Sequence, residues 1–121
     1  MKSLLRNVRI SPKKANIVIW LIRNESVNSA LSKLKFMNKK AADIIYKVLF
    51  SAASNAKTNF GIEFSDLFVS TAFVTEWPTY KRWQSRSRWR VFSLLKRTSN
   101  INIELKSIKK SESEENLEKN Q

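Results

Sequence analysis

Apolar residues recur along the first half of the chain at helical intervals and along the second half at every other position. Ala15, Val18, Ile19 and Ile22 mark one face of a first helix. Ser11 stands before them as an N-cap, Pro12 takes the first helical position, and Asn24 follows as a left-handed stop. Trp20 falls beside this stripe, at the core edge or on a partner. Val27, Ala30, Leu31 and Leu34 predict a second, short helix capped by Ser26. The longest helix is predicted from Asn38, as its cap, to about Thr58. Its core stripe is Ala41, Ile44, Ile45, Val48, Leu49, Ala52 and Ala56, and the small Ala42 and Ala53 permit close crossing. The single glycine, Gly61, closes this half. Arg9-Ile10, ahead of the first helix, is a short lead-in that can form an edge strand.

After Asp66 the period changes to two. Leu67 to Val74 is rich in β-branched and aromatic residues, and Asn100 to Leu105 alternates strictly between polar and apolar. Both predict strands, the second with one wet face and one buried face. The residues between them are too many for a tight hairpin and contain no glycine. An extended two-stranded arm accounts for them, and at about 3.3 Å per residue it reaches roughly 40 Å from the body. Such a ribbon is only marginally stable alone in water, so a partner is expected to order it.

The predicted class is therefore α+β: three helices packed on a small antiparallel sheet, with a long protruding β-hairpin arm. Residues 1–105 form one domain, with the body at 9–74 and 98–105 and the arm at 75–97. Residues 106–121 read KSIKKSESEENLEKNQ and are expected to be a disordered polar tail.

Charge changes this picture from a fold to a binding surface. The net charge is +13, and all of the excess lies in residues 1–105, which hold 19 Lys/Arg against 6 Asp/Glu. The remaining 16 residues hold 4 of each. A basic surface on the folded part, rather than a basic tail, points to nucleic acid. The stretch from Lys81 to Arg97 carries Lys81, Arg82, Arg86, Arg88, Arg90, Lys96 and Arg97 with no acid. Trp83 and Trp89 lie among these cations. Guanidinium groups pair with phosphates, and indole faces stack on bases. Taken alone, such a run can be a solvated loop. Two further groups, Arg9 with Lys13 and Lys14, and Lys33, Lys35, Lys39 and Lys40, widen it to a phosphate-contacting surface. The amides at the start of the first helix add an anion site there.

Other classes are poorly served. The chain has neither Cys nor His, which removes thiol chemistry, thiolate zinc sites and the commonest general base and metal ligand. Asp43, Glu63, Asp66, Glu76 and Glu104 are scattered, and one glycine cannot build a phosphate-cradling loop. No enzyme activity, cofactor or metal is expected. The apolar residues of the arm do not segregate as a membrane-surface helix requires, and no apolar run approaches the length that spans a bilayer. The N-terminus lacks a signal-peptide core.

These residues, in this order, resemble the family of large-subunit ribosomal protein twenty-two, in one register from Arg9 to about Leu105. Ser11-Pro12-Lys13-Lys14-Ala15 and Leu21-Ile22-Arg23 match its first helix. Lys39-Lys40-Ala41-Ala42, Lys47-Val48-Leu49, Ser51-Ala52 and Asn55-Ala56 match its long helix. Asp66-Leu67 and Val69 match the start of the strand, and Glu76, Pro78, Lys81 and Arg82 the ascending arm. Arg86 and Arg90 fall on arginines of the tip, and Lys96-Arg97-Thr98-Ser99 with Ile101 on the descending strand. The resemblance implies a structural, non-enzymatic protein whose hairpin runs through ribosomal RNA and lines the nascent-peptide exit tunnel.

On that reading the RNA-binding residues are Arg9, Ser11, Lys13, Lys14, Lys39, Lys40, Lys81, Arg82, Arg86, Arg88, Arg90, Lys96, Arg97, Thr98 and Ser99. Trp83, Gln84, Ser85, Ser87 and Trp89 form the tunnel-facing tip, with Trp89 stacked on a base or projecting into the lumen. The implied partners are large-subunit ribosomal RNA, neighbouring large-subunit proteins and the nascent polypeptide, without membrane association or homo-oligomerisation. The alternative is a non-ribosomal RNA-binding protein or an assembly factor. The chain departs from the family pattern at Trp77 and Trp89, where Gly is usual, at Ser85 for Pro, at Asn24 for Gly and at Asn100 for His. Scarce Gly and abundant Asn, Lys and Ile suggest an AT-rich genome. With no presequence, an organelle is expected, a plastid before a mitochondrion, with a reduced bacterium's cytoplasm as the alternative.

Overall fold

Ser11 starts the first helix as its spacing predicts, its side chain accepting a hydrogen bond from the Lys14 amide in the computed structural model, which describes residues 1–86, 88 and 90–108 and only the backbone of Arg86. This helix, α1, spans Pro12–Ile22 and buries Ala15, Val18, Ile19 and Ile22. Asn24 ends it in the left-handed region at φ 60°, where the short polar side chain is tolerated. Trp20 is 65% exposed and so lies outside the core. The second helix, α2, spans Val27–Phe36 with Ser26 as cap, and buries Val27, Ala30 and Leu34.

The longest helix, α3, spans Lys40–Phe60. Its N-cap is Lys39 and makes no side-chain cap bond, so the capping role expected of Asn38 is not realised; Asn38 lies one residue too early. The predicted stripe is otherwise buried, with Ile44 only partly so, and Ala42 and Ala53 are fully covered. Gly61 closes α3 at φ 65°, its amide returning to the carbonyls of Ala56 and Lys57.

Three antiparallel strands follow the order β1-β3-β2: β1 at Lys2–Val8, β2 at Leu67–Arg86 and β3 at Arg90–Ser107. The edge strand thus precedes Arg9-Ile10, which form the bend into α1. Along β3, Ile101, Ile103 and Leu105 are buried under the helices while Asn100, Asn102 and Glu104 are only partly covered, the alternation of a one-sided sheet. On the open face Lys2 sits directly opposite Glu104 and forms an ion pair at 3.2 Å. The strand β3 continues through Lys106 and Ser107, opposite Phe68 and Leu67. The rest of the expected tail, 109–121, lies outside the described residues.

The segment between α1 and α2 seals the outer edge of β2. Asn24 donates to the Val69 carbonyl at 3.0 Å, Val69 donates to the Glu25 carbonyl at 2.9 Å, and Arg23 Nε donates to the Ala72 carbonyl at 2.8 Å. Edge backbone groups are paired here instead of being left to another chain. Farther out, β2 and β3 leave the body as a two-stranded arm that pairs as far as Arg86 opposite Arg90.

Two substitutions test this architecture by urea unfolding. Leu49→Ala empties a fully buried core position and should cost about 2–5 kcal/mol. Gly61→Ala meets no atom within 4 Å of the new Cβ, so only its positive φ matters, and a loss of about 1–2 kcal/mol is expected.

Candidate nucleic-acid interface

The root of the arm is where the separate basic groups meet. The strand β1 pairs with β3 only up to Val8 opposite Ser99, and the chain then bends through Arg9 and Ile10 into α1. That bend sets Arg9 and Ser11 beside Lys14 of α1 and beside Lys39 and Lys40 at the start of α3, around one cavity. Lys40 Nζ donates to the Arg9 carbonyl at 3.4 Å, which ties the start of α3 to the bend. A second depression shares Arg9, Ser11 and Lys40 and adds Lys96 and Arg97 from β3. A third, lined by Ser11, Lys13 and Arg97, also includes the carboxylate of Glu76. Residues up to 88 positions apart therefore converge on the N-terminus of α1, whose first turn holds no acid to offset its dipole.

The second basic group divides. Lys39 and Lys40 join the arm root, whereas Lys33 pairs with Glu25 and Lys35 borders a separate depression with Asn28 and Tyr46. Among the described residues the other ion pairs are Lys2–Glu104 and Lys57–Glu63, the latter at 3.6 Å. None involves a cation of the arm root or of the arm. Among the described residues these cations form no ion pair, although Glu76 shares the third hollow with Lys13 and Arg97.

Up the arm, Lys81, Arg82, Arg90, Lys96 and Arg97 are exposed, as are Trp83, at 71%, and Gln84 and Ser85. Arg88 is exposed at the tip and takes φ 63°. Ser87, Trp89 and the Arg86 side chain lie outside the described residues, so the expected stacking of Trp89 does too. Trp77 has no positive φ and pairs with Thr98 as ordinary strand, so this residue, where Gly is usual, needs no glycine conformation. Immediately beyond it, Pro78 and Thr79 together oppose Arg97, a bulge that accommodates a proline unable to donate to the ladder.

Thr98 and Ser99 are placed inside, at 1% and 0% exposure. Thr98 Oγ1 donates to the Pro78 carbonyl at 2.9 Å and thereby holds the bulge. Ser99 Oγ is buried without a hydrogen-bond partner. The Thr98 side chain thus serves the arm from within, by fixing the strand that carries Lys96 and Arg97.

Sequence reasoning did not foresee the cluster around Tyr80. The guanidinium carbons of Arg9 and Arg82 lie 5.9 and 5.7 Å from the centroid of its ring. Tyr80 OH reaches Asn7 Oδ1 at 3.4 Å, and the Asn7 amide donates to Asn100 Oδ1 at 3.2 Å. Asn7 sits at φ 57°, inside the irregularity that breaks the β1–β3 register. The partners are 73 and 93 residues apart, and an Asn or Tyr among basic residues carries no signal of such a contact.

A family model described as ribosomal protein L22p/L17e matches residues 3–106. The chain belongs to this family. The large ribosomal subunit protein uL22 of Mycoplasmopsis pulmonis is 47% identical over 103 residues, covering 85% of this chain and 94% of the relative. The uL22 protein of Metamycoplasma hominis is 47% identical over 104 residues, covering 86% and 81%. That of Clostridium novyi is 36% identical over 105 residues, covering 87% and 95%. Membership in a family of structural ribosomal proteins makes this chain a ribosomal protein and not an enzyme. The relatives belong to the large subunit, as the sequence resemblance implied. They are bacterial, and they lend no support to the plastid expected above.

Exchanging the two buried hydroxyls separates a packing role from an RNA-contacting one. Thr98→Val leaves the Pro78 carbonyl without its donor and should lower unfolding stability by about 1–3 kcal/mol. Ser99→Ala removes a buried oxygen that has no partner and should leave stability unchanged or higher.

Proposed function

We propose that this protein is a structural constituent of the large ribosomal subunit in a bacterial cytoplasm and binds its ribosomal RNA through the arm root and the arm. The observation that carries the reading is the convergence of Arg9, Lys13, Lys14, Lys39, Lys40, Lys96 and Arg97 without an ion pair to any described acid. Folding like charges together is unfavourable unless a polyanion offsets them, and phosphates do so with release of counterions. Ser11 adds the N-terminus of α1 to this surface. Lys81, Arg82, Arg86, Arg88 and Arg90 extend it along the arm, while Thr98 fixes the backbone beneath it and Ser99 lies buried beside it.

The arm itself is the finer part of the proposal. Among its described residues, this two-stranded ribbon carries cations and exposed aromatics and presents no apolar face to its own body. It suits a channel walled by RNA better than open water. The tip, with Trp83, Gln84, Ser85, Ser87 and Trp89, would line the nascent-peptide exit tunnel, and neighbouring large-subunit proteins would meet the body. The chain acts there as a single copy, supporting assembly of the RNA around it.

The first test is sedimentation of a native extract through a high-salt sucrose gradient. Migration with the large subunit is expected; release into fractions of other RNA would instead favour a free RNA-binding protein. In a purified system, replacing Arg82, Arg88 and Arg90 with Ala should leave the helical circular dichroism intact. It should lower the magnitude of the log–log salt slope of RNA binding by roughly 2–3, about one per lost phosphate contact. An unchanged slope would place these side chains in the lumen, away from phosphate.

A further inference from the structure

The geometry points to a nucleotide receptor at the arm root: we infer that the cavity between the β1–α1 bend and the start of α3 takes one unpaired nucleotide of the bound RNA. This inference rests on the RNA-binding reading above and names what that part of the surface recognises. The cavity holds about 360 Å³, within the range of small-ligand sites, roughly 300–1,000 Å³. Its lining is of two kinds. Arg9, Lys14, Lys39 and Lys40 supply positive charge, while Ile10, Ala41 and the half-exposed Ile17 supply apolar surface.

Neither half alone explains the other. A site for phosphate needs cations and amides but gains nothing from an isoleucine wall. A site for an apolar group gains nothing from four cations. A nucleotide has both requirements, a flat base that sheds water against apolar atoms and phosphates on either side of it.

Arg9 joins the two halves. Its guanidinium is charged and planar, and a guanidinium plane is a recognised stacking surface for bases. Here it is held close to the ring of Tyr80, which Asn7 anchors through the phenol, so the side chain is ordered before any ligand arrives. The neighbouring depression shares Arg9 and Lys40 with the cavity and leads to Lys96 and Arg97, which continues the cationic path for adjoining phosphates. Among the described residues no Asp or Glu lines either hollow. The nucleotide must be unpaired, because a base within a duplex is stacked on both faces and cannot enter a hollow in a protein surface. The base identity is left open by the lining, which offers shape and stacking more than a fixed set of edge contacts.

The test uses the full-length chain and two RNA hairpins with the same stem, one fully paired and one with a single bulged 2-aminopurine. The chain should bind the bulged hairpin about tenfold more tightly, as one stacked base warrants, and the probe's emission should change on binding. Ile17→Ser, checked for folding by circular dichroism, should abolish this preference and the emission change while the paired hairpin binds as before. Arg9→Lys keeps the charge but removes the plane, and should reduce the preference as well. Equal binding of both hairpins by the unaltered chain, or a preference that survives both substitutions, would overturn the nucleotide receptor and leave RNA binding standing. Failure to bind either hairpin would overturn the RNA-binding reading along with it.

Discussion

The strand β3 is flanked on both sides only as far as Ser99, and most of the molecule follows from that asymmetry. Inward of Ser99 it is the middle of a three-stranded sheet whose buried face carries Ile101, Ile103 and Leu105 against the helices. Outward of Ser99 its ladder with β2 continues alone, with no third strand and no helix among the described residues to bury a face. The point of change is crowded with devices that hold it. The register breaks at Arg6-Asn7, the bulge at Pro78-Thr79 bends β2, and Thr98 bonds the bulge from inside. Tyr80 then ties the base of the arm back to Asn7. A long lever can be aimed only if its root is stiff, and these contacts supply the stiffness.

The same root collects the charge. The bend after Val8 brings the start of α1 to the start of α3, so that helix N-termini and lysines meet the descending strand. In water such a cluster opposes its own formation; at a Debye length of about 8 Å in physiological salt, neighbours within one hollow still feel one another. The apolar core beneath must supply the stability that offsets this repulsion. That division of labour explains why the core is conventional, with an aliphatic one-sided sheet under three helices, while almost every unusual contact lies at the arm root.

What was legible in the sequence was what depends on local spacing. The faces of α1, α2 and α3, the Ser11 and Ser26 caps, the left-handed Asn24 and the alternation of Asn100 to Leu105 all follow from neighbours within a turn or a pleat. The arm was legible because so many polar residues without glycine had nowhere else to go. The first strand was not, since Lys2–Val8 is mostly exposed and its pairing is fixed by β3, almost a hundred residues away. The start of α3 was misplaced by one residue because Asn38 has the better capping side chain, whereas the chain path put Lys39 at the cap. In the candidate interface the cations were legible as a list, but not their grouping. Nothing local separates Lys33, spent on Glu25, from Lys40, which faces Arg9.

The tip carries the argument about the arm furthest from the body. With Arg86 opposite Arg90, three residues make the connection, and hairpins of that length place one residue in the left-handed region. Arg88 does so at φ 63°, at a cost that glycine would avoid, about 1–2 kcal/mol. Strained backbone persists where its surroundings over-determine it. At the end of a two-stranded ribbon the described residues offer the strand register as such surroundings. The side chain that bears the strain is a guanidinium, carried to the farthest point of a basic arm. Exposed at that point, the guanidinium is available to an anion outside the chain, as the RNA-binding proposal requires. Trp77 makes the contrasting case: it sits in ordinary strand beside a bulge that bends the ladder for it, so its bulk costs the backbone nothing. The two positions show how an arm without glycine is built, with curvature assigned to a bulge near the root and, among the described residues, the left-handed backbone placed at the far end.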